Sequence, residues 1–363
     1  MKKFKAAVLE GPEKMVIREF PVPEVGEDDV LMKVEMCAIC GSDIHSYRGG
    51  YRAAAMYPTI IGHEISGIVE KIGKVAQKRL KFQEGDRITP EGGSVCGQCR
   101  MCLKGNYRLC ENRKVYKFKP LSAPYAEANV GPAGFGEYVW IRDGRRVHRA
   151  AKNVGPEATC LSTVLGNGIR WVSTRGQAKM GDTVVIFGAG GQGLCSLVAA
   201  KESGANPTIL VGRNCDKLGF ELAKEFGADY IINTEKEDVT KRILEITDGQ
   251  LADVVVDTTG NPESMSRALN FVRTMGNLVL IGTLREDVPT PLYTMTLITK
   301  EINIYGAIGQ SWNVEQSMKV INAKKYPLEK IIKPVYPLSK INEAFAFLKD
   351  HREECIKIGI VPD

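Results

Sequence analysis

Four cysteines crowd between positions 96 and 110, spaced C-x2-C-x2-C-x7-C as Cys96, Cys99, Cys102 and Cys110. Gly97 and Gly105 allow turns tight enough to wrap all four thiols around one ion. Four soft sulfur ligands with no open position describe a closed, structural zinc site, which pins a loop and does no chemistry. On spacing alone, an iron–sulfur cluster and two disulfides are the rivals, since sets of four cysteines hold both. A second constellation is Cys40-Gly-Ser-Asp-Ile-His45 with Gly62-His63-Glu64, which takes two of the four histidines in the chain. A thiolate plus an imidazole begins a catalytic zinc site, the kind that keeps one position open. Each motif alone is weak, because a lone Cys is usually core and a lone His a satisfied polar group.

A third signal is Gly188-Ala-Gly-Gly-Gln-Gly193, directly after the apolar run Thr183-Val-Val-Ile-Phe187. A GxGxxG that follows a strand and opens a helix reads as a dinucleotide-binding turn. Gly188 permits the turn, Gly190 lets backbone approach a pyrophosphate, and Gly193 lets the helix pack on the sheet. The helix N-terminus offers free N–H groups to the phosphates. A Gly-rich βα loop with no ligand is the plainer reading. The candidate cofactor residues are Gly188, Gly190, Gly191, Gln192 and Gly193, with Gly212, Arg213, Asn214 and Lys217 after the next strand and Thr258 after a later one. An NAD site usually carries Asp or Glu about 20 residues on, to take the ribose 2′-hydroxyl. Here Gly212 stands there and Arg213 follows, so a 2′-phosphate is favoured and NADP preferred over NAD.

These residues need two kinds of scaffold. Before residue 155 the chain shows short apolar runs broken by Gly and Pro, with strands expected at Val30–Met36 and Ile65–Gly73. Strands then alternate with helices, the mark of a parallel sheet. Strands are expected at Thr183–Phe187, Pro207–Val211, Asp253–Asp257 and Asn277–Ile281, and helices at Gln192–Ser203, Asp216–Phe226 and Ile341–Lys349. The expected organisation is α/β: a mainly antiparallel β domain over 1–154, a doubly wound parallel-sheet domain over 155–299, and a segment 300–363 that returns to the first.

With 363 residues, 44% of them hydrophobic, the chain is long enough for two cores. No apolar run reaches the ~20 residues that span a bilayer, so no membrane partner is expected. A secreted disulfide framework would spread its pairs along a short chain, so the crowding of four among ten cysteines points to metal, and the basic N-terminus, whose apolar part is too short for a signal peptide, leaves a cytoplasmic protein as the expectation. The net charge of +6 is mild and scattered. Its one dense cluster, Arg142–Arg149, reads as a solvated loop, and no nucleic-acid partner is expected.

Taken together, Cys40–His45, Gly62–Glu64, Gly85-Asp-Arg-Ile88, the Cys96–Cys110 knuckle, Gly188–Gly193 and Pro337–Phe345 resemble the zinc-containing medium-chain alcohol and polyol dehydrogenases over nearly the whole chain. The resemblance implies a GroES-like β domain joined to a Rossmann domain, and two zinc ions per chain. It implies that Cys40 and His63 bind the catalytic zinc. The reaction it implies moves a hydride between an alcohol or ketone, of secondary, cyclic or polyol type, and a nicotinamide dinucleotide. Ser42 then takes the alcohol proton and passes it through the ribose hydroxyl to His45. Homodimers or homotetramers are usual. One position departs from the pattern: where many members place a third zinc ligand, this chain reads Ala158-Thr-Cys-Leu-Ser-Thr-Val-Leu-Gly-Asn167, with Thr159 or Thr163 in register and Cys160 out of it. Glu64 is expected to complete the site, with Cys160 or a two-residue site as alternatives.

A zinc-independent enone or quinone reductase of the same fold is the runner-up, disfavoured by Cys40, His63 and the knuckle. A zinc-ribbon nucleic-acid-binding protein is disfavoured by the dinucleotide half. Around Tyr47–Tyr57, Arg48 and Arg52, together with Arg170, are candidates to meet an anionic substrate group.

Overall fold

The computed structural model describes residues 2–50, 57–92, 95–112, 134–142, 145–282 and 288–363. Arg52 and most of the 47–57 loop lie outside them, as do residues 143 and 144 of the basic cluster. The chain divides into two compact units, Met1–Thr163 with Met318–Asp363, and Val164–Ser317.

The first unit begins with a hairpin of β1 (Lys3–Gly11) and β2 (Lys14–Pro21). Its main sheet is built from β3 (Val30–Ala38), β4 (Glu64–Ile72), β5 (Arg87–Pro90), β6 (Tyr138–Ile141) and β7 (Val147–Arg149). β3 pairs antiparallel with β4 and with β6, and β4 continues through β5 to β7, each antiparallel. The core under this sheet is aliphatic, with Met32, Ile65, Ile88, Phe135 and Ile358 all below 1% exposed. That enclosure is what holds the ends of β3 and β4 rigid, and the candidate metal residues hang from those ends.

The second unit is a six-stranded, all-parallel sheet. Its strands are β8 (Val184–Phe187), β9 (Thr208–Gly212), β10 (Tyr230–Asn233), β11 (Ala252–Asp257), β12 (Val272–Leu280) and β13 (Asn303–Gly306). They lie in the order β10-β9-β8-β11-β12-β13, the doubly wound dinucleotide-binding topology. Every residue of β8 and β9 is buried, which explains why these strands are continuous apolar runs rather than alternating ones. Between them runs the helix Gly191–Glu202, whose Leu194–Ala200 face is fully buried. Asp238 and Asn261 cap two later helices through their side chains.

The first sheet closes with β14 (Ile332–Pro337) and β15 (Lys357–Val361), linked by the helix Ile341–Asp350. β15 lies parallel to β14 and antiparallel to β3. The division of the chain corrects the expected domain edges at both joints. The helix Pro156–Cys160 packs on β3 and β4, so the first unit runs on to Thr163. β13 pairs with β12, so the parallel unit runs past residue 300 to Ser317. Among the described residues no helix is long and apolar enough to cross a membrane.

Candidate functional site

Two groups of metal-capable side chains converge. The ligand atoms of Cys40, His63 and Glu64 all lie within 4.8 Å of one another. Cys40 ends the segment after β3, Glu64 opens β4, and Ala38 is paired with Glu64 across the ladder, so strand register alone brings the three together. Asp43, 3% exposed, ties the pieces. One of its oxygens accepts the Cys40 N–H at 2.9 Å, and the other accepts the Gly62 N–H at 3.3 Å and faces His63 Nδ1 at 3.4 Å. That leaves His63 Nε2 as the nitrogen able to face a metal. Enclosure disfavours a charged His63, but the negative charges of Asp43 and Cys40 outweigh it and raise the imidazole well above the usual histidine value.

Glu64 is 1% exposed. Its Oε2 lies 2.7 Å from Lys357 Nζ, a buried ion pair. A buried carboxylate beside a thiolate and an imidazole is a donor set suited to zinc. Cys160 is not in the group. It is fully buried and donates to the Met36 carbonyl at 3.3 Å, and burial pushes its thiol well above the ordinary value.

Ser42 and His45 stand three residues apart on the helix Gly41–Tyr47, both exposed, a spacing that places them on one face. The His45 ring rests on Gly50, where a Cβ would come within 2.1 Å of Nε2.

The second group is Cys96, Cys99, Cys102 and Cys110, also within 4.8 Å of one another. Sulfur–sulfur separations of 3.5, 3.8 and 4.0 Å match the edge of about 3.8 Å that four Zn–S bonds of ~2.3 Å produce in a tetrahedron. They exceed any disulfide, and all ten cysteines are free. The Cys102 N–H, donating to Cys99, lowers that thiol to about 6, whereas burial raises Cys102 to about 12. The knuckle is anchored through Tyr107, whose hydroxyl donates to buried Glu91 at 2.8 Å. Glu91 also faces His148 Nε2 at 2.7 Å and Arg146 Nε at 3.1 Å, and Arg145 donates to its carbonyl. Burial works against the charged Glu91, but these donors hold its carboxyl below the usual value. The basic stretch read as a solvated loop therefore turns inward at 145–148, with Arg145 only 6% exposed.

In the parallel unit, the glycine turn sits where strand order reverses, between β8 and β11. Gly188 has φ +102°, and a Cβ on it would meet Thr258 Oγ1 at 2.5 Å. Gly193 leaves no room at all: its Cβ would stand 1.7 Å from the Gly188 carbonyl. Gly190 faces open space, with nothing within 4 Å of a Cβ. Beside it Gln192 Oε1 is enclosed without a hydrogen-bond partner among the described residues. A cradle open at Gly190, with free helix N–H groups, fits a pyrophosphate. Thr258 is held by the Phe187 carbonyl, to which its N–H donates at 3.0 Å and its hydroxyl at 2.8 Å; the preceding Asp257 is fully buried and accepts from Thr259 and Ser264, and burial raises its carboxyl. At the end of β9, a Cβ on Gly212 would meet Phe220 at 2.7 Å and Asp216 Oδ2 at 2.9 Å. Asp216 caps the Arg213 N–H at 2.8 Å, and Arg213, Asn214 and Lys217 face solvent. Arg48 is exposed, and Arg170 is only 2% exposed.

Sequence reading gave no role to Asp43, Asp257 or Lys357. The signal for Lys357 was an ammonium in the apolar run Cys355-Ile-Lys-Ile-Gly-Ile360, a strand that has to bury it beside an acid.

A mainly antiparallel β unit carrying a Cys-His-Glu cluster and a tetrathiol knuckle, joined to a doubly wound dinucleotide unit, defines a zinc-type, nicotinamide-dependent oxidoreductase. Comparison with known proteins gives the family. Residues 26–152 match the model "Alcohol dehydrogenase GroES-like domain" and residues 191–323 match "Zinc-binding dehydrogenase". A probable alcohol dehydrogenase of Mycobacterium tuberculosis is 32% identical over 358 residues, 96% of this chain and 95% of its own. A sorbitol dehydrogenase of Bacillus subtilis is 29% identical, covering 99% and 97%. A putative zinc-binding dehydrogenase of Sinorhizobium meliloti, solved bound to NADP, superposes with TM-score 0.86 at 24% identity over 100% of both chains. The chain belongs to the zinc-containing medium-chain alcohol dehydrogenase family. It is an NAD(P)-dependent alcohol dehydrogenase, and the enone reductase alternative is not favoured.

Proposed function

We propose that this enzyme interconverts a secondary or polyol alcohol and its ketone with NADP in preference to NAD, using two zinc ions per chain. The convergence of Cys40, His63 and Glu64 within 4.8 Å carries this reading. These three hold the catalytic zinc, and Cys96, Cys99, Cys102 and Cys110 hold the structural one. When bound, zinc acidifies an alcohol or polarises a carbonyl, and the nicotinamide takes or returns the hydride. Asp43 orients His63. Ser42 accepts the alcohol proton, and His45, on the same helix face, carries it to solvent. The glycines 188, 190, 191 and 193, with Gln192 and Thr258, seat the dinucleotide. The purified protein with a panel of secondary alcohols and polyols is expected to raise absorbance at 340 nm. No cofactor reduction with any alcohol, by protein carrying zinc, would overturn the reading.

The NADP preference rests on Gly212, where neither Phe220 nor Asp216 leaves room for an acidic side chain, and on exposed Arg213, Asn214 and Lys217. Arg213→Asp is expected to raise the KM for NADP by about tenfold or more while changing NAD little, since a charge-assisted phosphate contact contributes ~1.5–3 kcal/mol. Better kcat/KM with NAD in the unmodified enzyme would refute the preference.

A cytoplasmic homodimer or homotetramer is part of the same proposal. β13 ends its sheet with an open edge, and Met295, Ile298 and Ile308 nearby are at least 60% exposed. Open edges and exposed apolar clusters are features of subunit contacts. Light scattering on the purified protein is expected to give two or four chains, and a monomer would contradict this.

A further inference from the structure

In a parallel sheet the loops at the carboxyl ends of neighbouring strands lie side by side, and ligands bind above them. β10 neighbours β9, and its last residue, Asn233, pairs with Gly212, the last of β9. The Thr234 N–H donates to the Gly212 carbonyl at 2.9 Å. The loop after β10 is thereby laid against the Arg213–Lys217 turn. There two consecutive main-chain N–H groups each donate to a carboxylate. Arg213 N–H meets Asp216 Oδ2 at 2.8 Å, and Asn214 N–H meets Glu235 Oε2 at 3.2 Å. Asp216 is a local cap, three residues on. Glu235 comes from the other loop, and Asn233 holds it there: the Asn233 side chain donates to Asn214 Oδ1 at 2.9 Å and accepts the Glu235 N–H at 3.0 Å. Arg213, Asn214, Lys217 and Glu235 are all exposed, and among the described residues no ion pair engages Arg213, Lys217 or Glu235.

A carboxylate oxygen on a main-chain N–H occupies the place that an anionic ligand takes. The 2′-phosphate that Arg213 and Lys217 suit is the ligand this place would otherwise receive. Glu235 stands against it twice. It takes the Asn214 N–H, and it sets a negative charge beside a group that carries nearly two of its own at neutral pH. A ribose 2′-hydroxyl is neutral and can donate, so the same carboxylate does not oppose it. We propose that Glu235 is a specificity-determining residue, an internal rival of the cofactor's 2′-phosphate for the Asn214 N–H, which weakens NADP selectively and so keeps the site open to NAD. This rests on the reading of Arg213 as the phosphate contact.

Adenosine 2′,5′-bisphosphate and adenosine 5′-monophosphate differ only in the 2′-phosphate. The ratio of their affinities for the full-length enzyme, measured by calorimetry at low salt, isolates that group. Glu235→Gln keeps an oxygen for the Asn214 N–H without the charge, and Glu235→Ala removes both. Removing one charge about 5 Å from a dianion in water-like surroundings changes binding by roughly tenfold. Glu235→Gln is therefore expected to bind the bisphosphate about tenfold more tightly and the monophosphate as the unmodified enzyme does. Glu235→Ala should gain at least as much, and kcat/KM should shift towards NADP by the same factor. At ~1 M salt, where the screening length falls to about 3 Å, most of the Glu235→Gln gain should vanish. Equal changes for both nucleotides would overturn the proposal, leaving Glu235 a residue that only shapes the loop. So would an unchanged ratio in both variants while Arg213→Asp still weakens the bisphosphate, and the NADP reading would then stand. If Arg213→Asp leaves the ratio alone, that reading falls, and the role of Glu235 with it.

Discussion

Glu64→Gln is expected to strip the labile zinc and lower turnover by at least about 100-fold, whereas Cys160→Ala leaves both near wild type; losing a residue that merely supports a ligand already costs 10–100-fold. Zinc at a catalytic site is held by three protein ligands with the fourth position kept for substrate. Cys40 and His63 supply two. The remaining candidates differ in geometry and charge. Glu64 lies within 4.8 Å of both and is a buried carboxylate. Cys160 spends its thiol on the Met36 carbonyl and is kept protonated by burial, while only a thiolate ligates. Thr159 donates to the Gly155 carbonyl, and a neutral hydroxyl is a poor zinc donor. Metal analysis after brief chelator treatment decides the matter. Zinc loss confined to Cys160→Ala would sink the assignment and restore a Cys-His-Cys site.

The other large effect belongs to the knuckle. Cys99→Ser is expected to halve the zinc content and lower the Tm sharply, even before activity is considered. The segment 95–112 has little else to hold it. Leu103 and Leu109 are exposed, and the buried anchors are Cys99, Cys110 and the Tyr107–Glu91 contact. Structural zinc contributes ~10–16 kcal/mol of apparent binding energy in isolated fingers. Loss of even ~4 kcal/mol would lower the Tm of a unit this size by about 8–16 °C. Retention of two zinc ions in the variant, or iron in the wild type, would refute the tetrathiolate zinc site.

The parts of this site legible in the sequence are those encoded by short-range spacing. The knuckle needs only its four cysteines and two turn glycines, and the Gly188–Gly193 turn needs only a strand before it and a helix after. The buried strands were legible too, since Val184–Phe187 and Thr208–Gly212 are buried on both faces and show it in composition. What stayed hidden is long-range. Lys357 meets Glu64 across nearly the whole chain, and nothing near either residue names the other. The inward turn of Arg145 and Arg146 depends on Glu91, which reads locally as an ordinary acid after Pro90. The domain edges were misplaced for a similar reason. Pro156–Cys160 looks like the first helix of the parallel unit until its packing on β3 and β4 is known.

The first unit is interrupted: residues 164–317 are inserted between Thr163 and Met318, and β15, which pairs with β3, belongs to the later piece. On the ribosome this imposes an order of assembly. Glu64 is made early, but its cation follows about 300 residues later, roughly 15–60 s at ~5–20 residues per second. During that interval β3 presents an unpaired edge where β15 will lie, and Glu64 has no Lys357 beside it. The inserted unit has a sheet of its own. The first unit's sheet is therefore finished last, when β15 arrives to pair with β3 and brings Lys357 against Glu64.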